Sequence, residues 1–216
     1  MITPELQVPT EGSSKSAQVS YTHSYCGRQF TLPDGDDIES YSILYIGSES
    51  MDLTCLMMTL NQNVFYTYDP NTQVARREKQ DINKMLMKRY FLVQKAKEAD
   101  IVGIVVGTLG VAHYLEAIQR LKDILKKSGK KHYTFVVGKL NVPKLANFME
   151  VDIFVLVACG QSSLLDSKEF YKPVVTPFEM EVACCREWSG HYTTDFTQLL
   201  PGEIYNHLQD TAYKYK

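Results

Sequence analysis

Val151–Cys185 reads VDIFVLVACGQSSLLDSKEFYKPVVTPFEMEVACC, and its opening run decides the fold. From Val151 to Ala158 the chain is apolar apart from Asp152 and rich in β-branched residues, the composition of a strand buried on both faces. Cys159 follows at once. In open α/β sheets ligands sit in the crevice outside the carboxyl ends of the strands, so a cysteine there has two readings. It is either a small hydrophobe finishing a buried strand or a thiol placed at the reactive edge of the sheet. Gly160, Gln161, Ser162 and Ser163 make a polar turn, and a second strand is expected around Pro173–Thr176. A helix then starts: Thr176 caps, Pro177 suits the first helical position, and Glu179 completes a capping box.

Working outward, Ser42–Ile46 reads as a buried strand ending at Gly47, and Val64–Tyr68 as another, closed by the Asp69-Pro70-Asn71 turn. Between them Asp52–Leu60 is a short helix with Cys55 on its packed face. From Asp81, Ile82, Met85, Leu86, Tyr90, Val93 and Ala96 recur at helical spacing. Lys84, Lys88, Arg89, Lys95 and Lys97 fill the other positions, a basic outer face that is either solvated or turned to an acidic partner. Ile101–Val106 is the next strand. It runs into Gly107-Thr108-Leu109-Gly110, which is either a tight turn or a place where backbone amides meet a ligand. A helix carrying Leu115, Ile118, Leu121 and Leu125 stops at Gly129, Tyr133–Val137 is a strand, and Asn141 caps another helix.

Alternating strands and helices predict right-handed crossovers and an α/β fold of two consecutive units with mainly parallel sheets. The expected division lies near Lys130: residues 1–25 a disordered segment or linker, 26–130 a middle α/β domain, 131–216 a C-terminal α/β domain carrying Cys159. Beyond Cys185, Trp188, Tyr192, Phe196 and Leu199 drape an irregular tail over the sheet.

Composition excludes more than it selects. With 44% hydrophobic and 22% charged residues the chain is an ordinary globular protein, and a net charge of -2 argues against a general nucleic-acid surface. No run approaches a membrane span, and MITPELQVPTEGSSKSAQ lacks the basic region and apolar run of a secretory signal, so an intracellular place is expected. The five cysteines, Cys26, Cys55, Cys159, Cys184 and Cys185, are odd in number and suit reduced thiols. Phosphate-loop, zinc-helix, nucleophile-elbow and paired CxxC signatures are absent. His23, His113, His132, His191 and His207 are dispersed, and Cys184 and Cys185 point in different directions from a helix end.

The segments KLANFMEVDIFVLVACGQSSLLDS and KEFYKPVVTPFEMEVAC resemble, in this order and spacing, the third domain of the subunit 2 family of the eukaryotic diphthamide biosynthesis complex. LYIGSES, LMMTLNQNVFYTYDP, ARREKQDINKMLMKRYFLVQKAKEADIVGIVVGTLGVAHYLEAI and VGKLNVPKLANF resemble the family's middle domain and its junction with the third. The resemblance implies the second and third domains of the diphthamide synthase fold. It implies a cytoplasmic subunit of the heterodimer that transfers a 3-amino-3-carboxypropyl group from S-adenosylmethionine to a histidine of elongation factor 2. In that family cysteines hold a 4Fe-4S cluster, thiolates being soft, strongly donating ligands for iron. Subunit 1 is its catalytic partner, and this subunit's cluster supports electron delivery from a donor protein of the pathway. Cys159 is the position that matches a cluster cysteine; Gly160 replaces the proline usual after it. Gly107, Thr108, Leu109 and Gly110 match a segment near the S-adenosylmethionine pocket, although Val111 stands where subunit 1 has an arginine. Cys26 lies where subunit 1 has a cluster cysteine, and a linker thiol is the simpler reading.

The family's first domain is not matched, so a fragment, short isoform or incomplete gene product is expected. Such a chain is an accessory subunit, inactive alone. The alternative is a cluster-free binding module that only contacts subunit 1.

Overall fold

The computed structural model describes residues 5–6, 21–26, 28–33, 36–107, 114–138, 140–158, 164, 170–185, 187–188, 190–195 and 199. They fall into two compact units that divide between Asn83 and Lys84.

The first unit holds two small sheets. Strand β1 (Glu5–Leu6) and β2 (Tyr21–Tyr25) both pair antiparallel with β3 (Arg28–Leu32). The expectation of a linker over 1–25 is therefore corrected at Tyr21–Tyr25, which forms one arm of a hairpin. Its tyrosines and threonine favour a pleated surface, and its partner strand buries Phe30 and Leu32. Cys26 sits in the turn with φ near +50°. In the second sheet β4 (Ser42–Ile46) runs parallel to β5 (Val64–Asp69), with α1 (Met51–Thr59) as the crossover. Ser50 caps α1 by accepting from the Leu53 N–H, and the helix buries Leu53, Cys55, Leu56, Met57 and Met58. β6 (Val74–Arg77) adds an antiparallel edge that the sequence did not announce, since all of its residues are exposed and no in-out alternation marks it.

The second unit is built on one four-stranded, all-parallel sheet. α2 (Lys79–Glu98) leads to β7 (Ile101–Val106), α3 (Tyr114–Lys127) to β8 (Lys131–Val136), and α4 (Val142–Ala146) to β9 (Ile153–Val157). β10 (Val174–Val175) and α5 (Pro177–Cys185) follow. The order across the sheet is β10-β9-β7-β8. The division expected near Lys130 is corrected by this pairing: β7 is hydrogen-bonded along its length to β8 on one side and to β9 on the other. Hydrophobic periodicity finds strands without saying which of them share a sheet, so it does not locate this boundary.

β9 is buried at every position, as its unbroken apolar run requires. One face of the sheet carries Val105, Phe154, Leu156 and Val174 against Leu145 and Val151, with Phe135 and Phe148 packed at the margin. Gly103 lies opposite Phe154, and a Cβ there would come within 2.6 Å of the Phe154 ring. Asp152, the one polar residue in the opening run, accepts from the Asp100 and Ile101 N–H groups and fixes the start of β7. α3 buries Ala117, Ile118, Leu121, Ile124 and Leu125, whereas Leu115, expected in the core, is exposed. Gly129 ends the connection in the left-handed region at φ +71°. Asn141 occupies the N-cap position of α4 without a side-chain hydrogen bond.

Candidate functional site

The order β10-β9-β7-β8 contains one topological switch. From β7 the chain goes on to β8 on one side, and from β9 it goes on to β10 on the other. The carboxyl ends of these neighbours are therefore where loops part and leave a crevice. β7 and β9 end level with one another: Val106 pairs with Val157, and the Gly107 N–H donates to the Val157 carbonyl at 2.9 Å. A Cβ on Gly107 would lie 3.8 Å from the Ala158 Cβ. Gly107 and Ala158 are thus the last described residues of two adjoining strand ends, and in sequence they lead into Thr108-Leu109-Gly110 and Cys159 respectively. Cys159, Thr108, Leu109 and Gly110 themselves lie outside the described residues, as do Gly160 and Val111.

The start of α5 stands beside this edge, because β10 pairs with β9 through Val174–Phe154 and Val175–Val155. Its capping box forms as the sequence requires. The Glu179 N–H donates to the Thr176 hydroxyl at 3.3 Å, and the Thr176 N–H donates to the Glu179 carboxylate at 2.8 Å. Glu179 is fully buried, so its charge needs more than a cap. Arg89 on α2 supplies it with two donors at 2.5 and 2.6 Å, and the Tyr192 hydroxyl donates a third bond at 2.9 Å. Burial works against the Arg89 charge, and Glu179 more than offsets it, leaving the guanidinium more firmly protonated than usual. Burial, then the Glu179 charge, push the Tyr192 phenol well above its ordinary value. A second pair, Arg120 on α3 with Glu181, also holds α5.

Arg89 corrects the sequence reading. Placed there on the basic outer face, it is buried, while Tyr90, assigned to the core, is 53% exposed. The signal was present in the spacing: Ile82, Arg89, Val93 and Ala96 share one helical face. A cation on an apolar stripe marks an ion pair, but nothing local names its partner. The tail does pack, with Tyr192 buried edge-on against Phe178 at 5.0 Å between ring centroids. Phe196 lies outside the described residues.

Cys184 and Cys185 end α5 separately, Cys184 against the Met180 sulfur at 3.7 Å and Cys185 donating to the Glu181 carbonyl. Cys26 lies against α1, its sulfur 3.6 Å from the Thr59 hydroxyl. A hydrogen bond with the Cys55 thiol, then burial, hold its ionisation above the usual thiol range. Among the described residues no group of three or more His, Cys, Asp and Glu side chains is placed to hold a metal ion. No helix among them is long and apolar enough to cross a membrane.

Two adjoining parallel strand ends at a switch in strand order define the chain as an open α/β protein of the class whose sheets present a crevice at that edge. The particular family follows from comparison: the profile of diphthamide synthesis proteins matches residues 3–193, and the chain belongs to that family. It is 58% identical over 178 residues to 2-(3-amino-3-carboxypropyl)histidine synthase subunit 2 of Danio rerio, covering 82% of this chain and 36% of that protein. The Schizosaccharomyces pombe protein of the same name is 40% identical over 194 residues, covering 88% of this chain and 38% of its own length. The chain thus spans little more than a third of these relatives. Among solved structures, Dph2 from Pyrococcus horikoshii with a 4Fe-4S cluster superposes with a TM-score of 0.62 at 28% identity. That match covers 71% of this chain and 44% of the archaeal one.

Proposed function

We propose that this chain contributes Cys159 as one thiolate ligand to an iron–sulfur site in subunit 2 of the diphthamide-forming complex. The complex transfers a 3-amino-3-carboxypropyl group from S-adenosylmethionine to a histidine of elongation factor 2. The observation that carries the reading is the switch-point crevice, where the β9 end that leads into Cys159 adjoins the β7 end that leads into Gly107–Gly110. Family membership and the cluster of the archaeal neighbour support it.

A 4Fe-4S cluster, when bound, supplies single electrons. Its ligands are several thiolates, and the residues in hand do not fit the whole group: one cysteine follows the crevice strand, and the described residues hold no other metal-binding group. The described residues by themselves do not supply the remaining ligands. In this reading the Cys159 thiolate donates to iron, and Thr108, Leu109 and Gly110 with Gly107 present backbone to S-adenosylmethionine. The subunit works in the cytoplasm as a heterodimer with subunit 1, supporting electron delivery from a donor protein.

That a single cysteine follows β9 in the sequence also favours a second reading, a cluster-free module that only binds subunit 1. The test is Cys159→Ser in a full-length subunit containing these residues, with Cys185→Ser as the control. Loss of iron, sulfide and cluster absorbance in the first variant alone is expected. Unchanged iron in the Cys159 variant would refute the ligand assignment and leave the second reading.

A further inference from the structure

The hairpin of β2 and β3 carries a thiol in its turn. Cys26 occupies its turn, half-buried, while Cys55 on α1 is fully buried, with the two 29 residues apart in sequence. Cys55 and Thr59 are one turn apart on α1, so they share a face. The Cys26 sulfur lies 3.6 Å from the Thr59 hydroxyl on that face, and its interaction with the Cys55 thiol raises the pH at which it ionises. Two residues on, Arg28 pairs with Asp52 in the first turn of the same helix at 3.1 Å, which holds the hairpin in this position. The half-buried Cys26 thiol therefore stands against the helix face that carries the fully buried Cys55, across a junction held by a part-exposed ion pair.

We infer that Cys26 and Cys55 are an oxidation site: a low-molecular-weight disulfide converts them to an intramolecular disulfide that staples the hairpin to α1. The Cys26 thiolate attacks one sulfur of the small disulfide, whose S–S bond breaks and releases one small thiolate. Cys55 then loses its proton, attacks the Cys26 sulfur of the mixed disulfide and expels the second small thiolate. The protein dithiol loses two electrons and two protons, and the small disulfide is reduced to two thiols. Because the Cys26 thiol ionises reluctantly, the exchange quickens as pH rises above neutrality.

The test uses the full chain, reduced and then incubated with oxidised glutathione at mildly alkaline pH, followed by alkylation and peptide mapping. A crosslinked peptide joining Cys26 to Cys55 is expected, with an intact mass lower by two hydrogens and full reversal by dithiothreitol. The melting midpoint of the oxidised chain should rise by roughly 5 °C. Cys26→Ser, altered on the accessible side so that the α1 core is untouched, should lose both crosslink and shift. Glutathione retained on Cys26 with Cys55 still alkylatable would overturn the inference, as would a crosslink from Cys26 to any other cysteine.

Discussion

Arg89 shows what a single residue decides in this fold. Its guanidinium bridges to a carboxylate with no solvent exposure, and that carboxylate also accepts from Tyr192 and from the Thr176 N–H. Removing the cation alone strands Glu179 in the interior, so Arg89→Ala should cost about 3–5 kcal/mol, well beyond the loss of its packed methylenes. Arg89→Met combined with Glu179→Gln keeps the volume and the acceptor while removing both charges, and should recover most of that loss. Urea unfolding of the three proteins checks it; equal destabilisation of the single and double variants would mean that the charge is not what the site needs. The half of this network that is local was legible in the sequence. Thr176 and Glu179 stand three apart before an apolar run, and the capping box they announce is present. Arg89 is 90 residues from Glu179, and a helical wheel records such a residue as charged, hence outward.

Among the elements, those whose burial is symmetrical could be read directly. β7 and β9 are continuous apolar runs because both faces of a parallel sheet are covered, and their expected and observed bounds nearly coincide. β2 and β6 escape a reading by hydrophobic pattern because neither contains a long apolar run, and every residue of β6 is exposed. The two glycines of β7 and its end separate packing from conformational need. At Gly103 a Cβ would meet the Phe154 ring at 2.6 Å and the Phe135 ring at 3.1 Å, so Gly103→Ala overpacks the sheet face and should destabilise by about 1–3 kcal/mol. At Gly107 the nearest atom is a Leu156 methyl at 3.4 Å, and Gly107→Ala should unfold within roughly 0.5 kcal/mol of the parent. Thermal or denaturant unfolding of both variants decides this, and an equal cost at the two positions would show that the strand end is as tightly packed as its middle.

For the whole molecule, the informative question is where the chain divides. Sequence spacing places alternating strands and helices in line and invites a cut at the glycine after α3, near Lys130. The sheet does not respect it, since β7 precedes that point and is the interior strand between β8 and β9. A segment of residues 131–216 therefore lacks the strand to which both β8 and β9 are hydrogen-bonded. Its β8 has no partner, and β9 keeps only the two-residue β10 beside it. It also loses Arg89 and Arg120, which leaves the two buried glutamates of α5 without their cations. Residues 84–216, by contrast, retain all four strands and both ion pairs. We expect the longer segment to unfold cooperatively and to show dispersed amide resonances, and the shorter one to have neither property. A folded, cooperatively melting 131–216 segment would return the boundary to Lys130 and would require β8 and β9 to pair without β7.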